Sequence, residues 1–167
     1  MIREVLSEGD LPVTDAELLD FARSSGSGGE TLARAVPFAV REVEQFCGQN
    51  IVQRSVKLVF ELEQLGCTAE KDLKLETVTN LKVSHNGIDW VDPEEFAWNP
   101  LTKTISVRHA EDFSWVDVRG SEPWITGPEI YGAVIQTAAA WYLDRDKYKG
   151  MPEAAQNACS NHVRIPC

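Results

Sequence analysis

The sequence has no apolar run approaching the ~20 residues that a bilayer-spanning helix needs, and no basic-then-apolar segment at its start. Synthesis and folding in the cytoplasm are therefore expected. Cysteine is sparse: Cys47, Cys67, Cys159 and Cys167 share no regular interval and form no CxxC pair. That excludes a sequence-legible disulfide framework and suits a reducing compartment. Only three histidines occur, with no HExxH spacing, and no GxSxG elbow appears, so these two hydrolase signatures are missing. Positive charge is also short, with 16 basic against 26 acidic residues and a net charge of −10. Phosphate binding works by Lys and Arg displacing condensed counterions, so an acidic chain makes a poor conventional nucleic-acid module.

What is present is an ordinary globular composition, 43% apolar and 25% charged over 167 residues. A chain of this length buries enough surface for a core without staples, and a single domain spanning 1–167 is expected. The acidity is uneven. Residues 1–50 carry four basic and nine acidic groups, residues 51–126 eight and thirteen, and residues 127–167 four of each. The neutral last quarter suits packing against another protein better than solvation alone.

The expected organisation has four parts: residues 13–50 helical, 51–119 β-rich, 128–146 a helix, and 151–167 a C-terminal arm. Thr14-Asp15-Ala16-Glu17 spells a capping box, followed by a short helix to about Arg23 with Leu18, Phe21 and Ala22 on one face. A second helix is predicted over Glu30–Cys47, where Leu32, Val36, Val40, Val43 and Cys47 recur at helical steps and Gly48 supplies the C-cap. Pro37 lies inside it, predicting either a kink or a regular part that begins near Arg34. The period then changes to two: Val56, Leu58, Phe60 and Leu62, then Leu73 and Leu75, then Val78, Leu81 and Val83 toward an Asn86-Gly87 turn. Strands near Trp90, at Phe96–Trp98 and at Thr104–Val107, a turn at Asn99-Pro100, and Val116 with Val118 complete a predicted antiparallel meander. Pro128 suits the first position of a helix whose stripe is Ile130, Val134, Ala138, Trp141 and Tyr142. A short helical turn over Glu153–Cys159 and a final extended arm follow. The class is α+β.

Candidate chemistry is thin. Ser25-Gly26-Ser27-Gly28-Gly29 precedes a helix, yet a phosphate loop needs a preceding strand and a Lys-Ser/Thr pair, so a flexible connector is the better reading. Cys159, His162 and Cys167 are soft ligands, but structural zinc takes four; His85, His109 or Cys47 would have to complete the set through the fold. Glu94-Glu95 and Glu111-Asp112 are adjacent pairs on extended segments, where neighbouring side chains point apart. No catalytic group, cofactor or metal is expected. Tryptophan serves both cores and interface hot spots, and of Trp90, Trp98, Trp115, Trp124 and Trp141 the one in the Pro/Gly loop, Trp124, is the best candidate for exposure.

Three stretches carry a resemblance: AVREVEQFCGQNIVQRSVKLVF (Ala39–Phe60), LKLETVTNLKV (Leu73–Val83) and VDVRGSEPWITGPEIYGAVIQTAAAWYLDRD (Val116–Asp146). In that order and spacing, over about Val13 to Arg164, the chain resembles tailed-phage head–tail connector (adaptor) proteins, including the adaptor of gene transfer agents. The sequence departs from that pattern at Pro37 and in the longer Gly28-Gly29 connector. The resemblance implies a ring, usually of twelve copies, in the neck of a virion assembled in the host cytoplasm. One face would dock on the portal protein and the other would receive stopper or tail proteins, while DNA passes through the channel without specific binding. It also implies a C-terminal segment reaching the portal, which makes Met151, His162, Val163, Arg164 and Ile165 contact candidates. Trp124, Trp141, Tyr142 and Arg145 are the interface candidates. Two rivals stand beside it: a stopper or tail-terminator protein of the same neck, and a small acidic enzyme or ligand-binding domain.

Overall fold

A computed structural model describes residues 1–23, 29–61, 68–93, 95–108 and 113–163. The chain divides into two compact units, one of Met1–Glu8 with Gln53–Pro123 and one of Gly9–Val52 with Trp124–Cys167. Each has its own hydrophobic core.

The first unit is all β. Strands β1 (Ile2–Glu8), β2 (Arg54–Glu61), β7 (Trp115–Ser121) and β4 (Thr77–Ser84) form one antiparallel sheet in the order β1-β2-β7-β4. Strands β3 (Thr68–Asp72), β6 (Thr104–Arg108) and β5 (Phe96–Asn99) form a second, in the order β3-β6-β5. Alternation explains the core: Val56, Leu58 and Phe60 of β2 meet Val116 and Val118 of β7 and Leu81 and Val83 of β4, with Ile105 and Val107 from the second sheet. The α+β class and antiparallel pairing match the sequence reading, while the strands are not laid down in chain order. β7 inserts between β2 and β4 because its alternating Val116 and Val118 are apolar enough to be central. Leu73 and Leu75 are buried but lie outside any strand, and near Trp90 only Val91 bridges back, to Val83. β1 carries no alternation that marks it, and its pairing with β2 is a finding of the structure.

The turns follow their residues. Asn86 Oδ1 accepts the amides of Ile88 (2.9 Å) and Asp89 (3.0 Å), and Gly87 sits at φ +75°. Asn99 Oδ1 does the same for Leu101 (3.0 Å) and Thr102 (3.3 Å).

The second unit is helical: α1 (Asp15–Phe21), α2 (Gly29–Cys47), α3 (Pro128–Leu143) and α4 (Glu153–Cys159). The capping box forms as spelled, with Thr14 N donating to Glu17 Oε2 (2.8 Å) and Glu17 N to Thr14 Oγ1 (3.3 Å). Leu18 of α1 is buried, while Phe21 is half exposed. Helix α2 runs through Pro37 without a break and buries Leu32, Val36, Val40, Val43 and Cys47, the face the spacing marks. Gly48 closes it at φ +65°, its amide donating to Glu44 O (2.8 Å). Pro128 opens α3 as expected. α3 is buried more widely than one stripe, at Ile130, Ala133, Val134, Ile135, Thr137, Ala138 and Ala139, and it ends at Leu143 before a 3₁₀ turn over Arg145–Lys147.

Candidate functional site

Surface aromatic residues cluster on the helical unit. Phe38 of α2 stacks on Trp141 of α3, with ring centroids 5.1 Å apart at 24°, and meets Tyr148 edge-on at 5.3 Å. Tyr148 Oη donates to Glu42 Oε2 (3.3 Å). Burial, followed by the Glu42 charge, pushes the Tyr148 hydroxyl up to about 12. Trp141 and Tyr142 are half-buried here, and Leu143 and Arg145 beyond them are exposed. The sequence picked Trp141, Tyr142 and Arg145; Phe38 and Tyr148 carry no spacing that would join them to that group. Trp124 is the exposed tryptophan of the five, 37% accessible, fixed by a parallel bridge between its backbone and Asn50.

The contact candidates near the C-terminus separate. Met151 is buried in the helical core together with Ala155 and Cys159, steps of four that place all three on one face of α4 and the turn before it. In this chain its side chain packs in the core. The side chain of Gln156 donates to the Met151 carbonyl (2.7 Å), and that of Gln49 to the carbonyl of His162. His162 is half-buried and Val163 exposed, while Arg164 and Ile165 lie outside the described residues. Residues 151–163 are therefore folded, with the short helix where it was expected, and no extended arm begins within them.

The thiols resolve as packing groups. Cys47 and Cys159 are free and buried together: Cys47 Sγ lies 4.0 Å from the Cys159 carbonyl oxygen, and Cys159 Sγ donates to Ala155 O (3.2 Å). Burial, then the neighbouring Cys159, pushes the Cys47 thiol up to about 12, which keeps it protonated and unreactive near neutral pH. Among the described residues no three His, Cys, Asp or Glu side chains gather as a metal site, and no helix is long and apolar enough to cross a membrane. The glycine-rich connector 24–28, Glu94, His109, Glu111-Asp112 and Cys167 lie outside the described residues.

One carboxylate went unnoticed in the sequence. Asp117, on central strand β7, is buried on the polar face of the four-stranded sheet, with Lys57 Nζ 3.5 Å from Oδ2 and Arg119 Nε 3.9 Å from Oδ1. Its alternation with Val116 and Val118 places it on the face opposite the apolar core. At one edge of the sheet Arg3 grips Glu122 through two bonds (2.6 and 2.7 Å), and Arg54 holds Glu8 (3.0 Å).

No family model matches the chain, and no curated protein matches it in sequence. Solved structures share its fold. A chain in the neck of an empty gene transfer agent (GTA) particle with C6 symmetry superposes at a TM-score of 0.67 and 14% identity, over 100% of this chain and 97% of that one. A chain in the virion of the native GTA particle gives 0.65 and 15%, and one in the native neck with C12 symmetry 0.62 and 16%, each with the same coverage. The fold is thus that of chains built into phage-like particles.

Proposed function

We propose that this protein is a ring-forming structural subunit in the neck of a tailed phage or phage-like particle. Within the neck it is the adaptor that docks on the portal and joins the DNA-filled head to the tail. The observation that supports this reading is the end-to-end correspondence with a GTA neck chain, 100% of one against 97% of the other. The surface agrees. Twelve copies at −10 each make an acidic ring, and like-charge repulsion keeps passing DNA from sticking to the channel wall. The aromatic group Phe38–Trp141–Tyr148 on the helical unit provides the rigid apolar anchors that protein interfaces favour.

The test mixes the purified full chain with the portal ring of the same particle. Native mass spectrometry and negative-stain imaging are expected to show a ring of this chain seated on the portal. Co-purification with tail-tube protein and not with portal would instead assign the stopper or tail-terminator role.

A further inference from the structure

We infer that the ring closes by sheet extension: β1 of one copy pairs antiparallel with the outer edge of β4 of the next, a second copy of this chain. This rests on the ring assembly proposed above.

Strand parity permits it. In the order β1-β2-β7-β4 every neighbour is antiparallel, so β1 and β4, the two edges, run in opposite directions. Copies standing side by side with the same polarity then meet β1 against β4 in antiparallel alignment. The operation repeats from copy to copy, the head-to-tail geometry that closes rings. With an odd number of strands the junction would be parallel.

β1 is open to such a neighbour. All seven of its residues are exposed, among them Ile2 (67%), Val5 (39%) and Leu6 (46%). An apolar, exposed edge strand is a template for pairing and is ordinarily covered or charged. On β4 the stretch Thr77–Asn80 is open, while Val83 is already bridged by Val91. Each edge carries one register shift, between Val5 and Ser7 on β1 and between Val78 and Asn80 on β4. These, with Val83 already bridged, leave Ile2–Val5 to pair with the segment around Asn80–Lys82, Ile2 opposite Lys82 and Glu4 opposite Asn80, so that Glu4 lies diagonal to Lys82 within reach of its long side chain.

Charge selects the same segment. Registers place Glu4 beside Lys57 and Lys82 beside Asp117, with Lys57 beside Arg119 and Val59 beside Asp117, so Glu4 and Lys82 share the polar face of the sheet. Arg3 and Glu8 are satisfied within the copy by Glu122 and Arg54. Neither Glu4 nor Lys82 has an ion-pair partner among the described residues, which leaves one acid at one edge and one base at the other. A second copy supplies each with the other.

The experiment uses full-length Glu4→Cys and Asn80→Cys variants, the directly opposed positions, oxidised with glutathione disulfide, with the wild-type chain setting the background from its own thiols. A mixture of the two single variants is expected to give a disulfide dimer and neither alone to exceed background. The chain carrying both is expected to give a ladder ending at the mass of the ring. In parallel, Glu4→Lys and Lys82→Glu should each lose ring formation, and their combination should regain it. Wild-type rings without the mixed dimer would overturn the edge pairing and leave the ring standing; so would a Glu4→Cys dimer by itself, which indicates two-fold pairing. Absence of rings from the wild type, both free and on portal, would overturn the ring reading and this inference together.

Discussion

A methyl group on Gly120 would sit 2.0 Å from the Thr77 carbonyl oxygen and 3.1 Å from its carbon. Gly120 is paired on both sides, with Val56 and Val78, so neither neighbouring backbone is free to retreat. Gly120→Ala is expected to destabilise the chain by about 3 kcal/mol, read by urea denaturation. Gly132 in α3 is the contrast, with nothing within 4 Å of an added Cβ. Gly132→Ala should stabilise by about 0.5–1 kcal/mol, the ordinary helical difference between the two residues. The buried thiols give a chemical prediction. Cys47 and Cys159 should resist iodoacetamide at pH 8 in the folded chain and react in urea, as read by peptide mass spectrometry. The pH dependence follows from the same burial. Cys47 rises from 9.0 to about 12 and Tyr148 from 10.0 to about 12. Both groups are neutral when protonated-state burial is favoured, so the unfolded chain ionises first as pH rises. Their contribution is complete below pH 9 and is lost toward pH 12, so Tm should fall across that window. The fall should be shallower in Cys47→Ala and Tyr148→Phe.

Among the elements, α1 is the most local. Its start was legible because Thr14 and Glu17 satisfy each other's amides whatever lies elsewhere in the chain. Thr14→Ala should cost about 1 kcal/mol by thermal denaturation. The Thr14 backbone amide, then its hydroxyl, hold the Glu17 carboxyl below its ordinary value, so the cap's contribution is present near neutrality and lost in acid as pH falls through that lowered value. α4 shows the limit of local reading. Its helix was foreseen, but its role was not, because Met151, Ala155 and Cys159 read as a short tail until the core that receives them is known. Two truncations separate these roles. Ending the chain after Val163 keeps the buried Met151, Ala155 and Cys159 and should retain cooperative unfolding, whereas ending it after Gly150 removes them and should abolish it, as read by circular dichroism. Under the adaptor reading, the first truncation loses portal binding while remaining folded.

At the scale of the whole molecule, local periodicity marked the four α-helices and strands β2, β4, β5, β6 and β7, but missed β1 and β3 and read Leu73 and Leu75 as strand. It also fixed the apolar face of α2, the positions of Gly48 and Pro128, and the exposure of Trp124, since these depend on residues within a turn or two. The composition determined the acidic surface. Only the tertiary structure decided that β7 lies between β2 and β4, that Met1–Glu8 is an edge strand, that Asp117 is buried between cations, and that Phe38, Trp141 and Tyr148 meet. Each of these joins positions distant in the chain, and a period of two or of 3.6 states which face is apolar without stating what it will face.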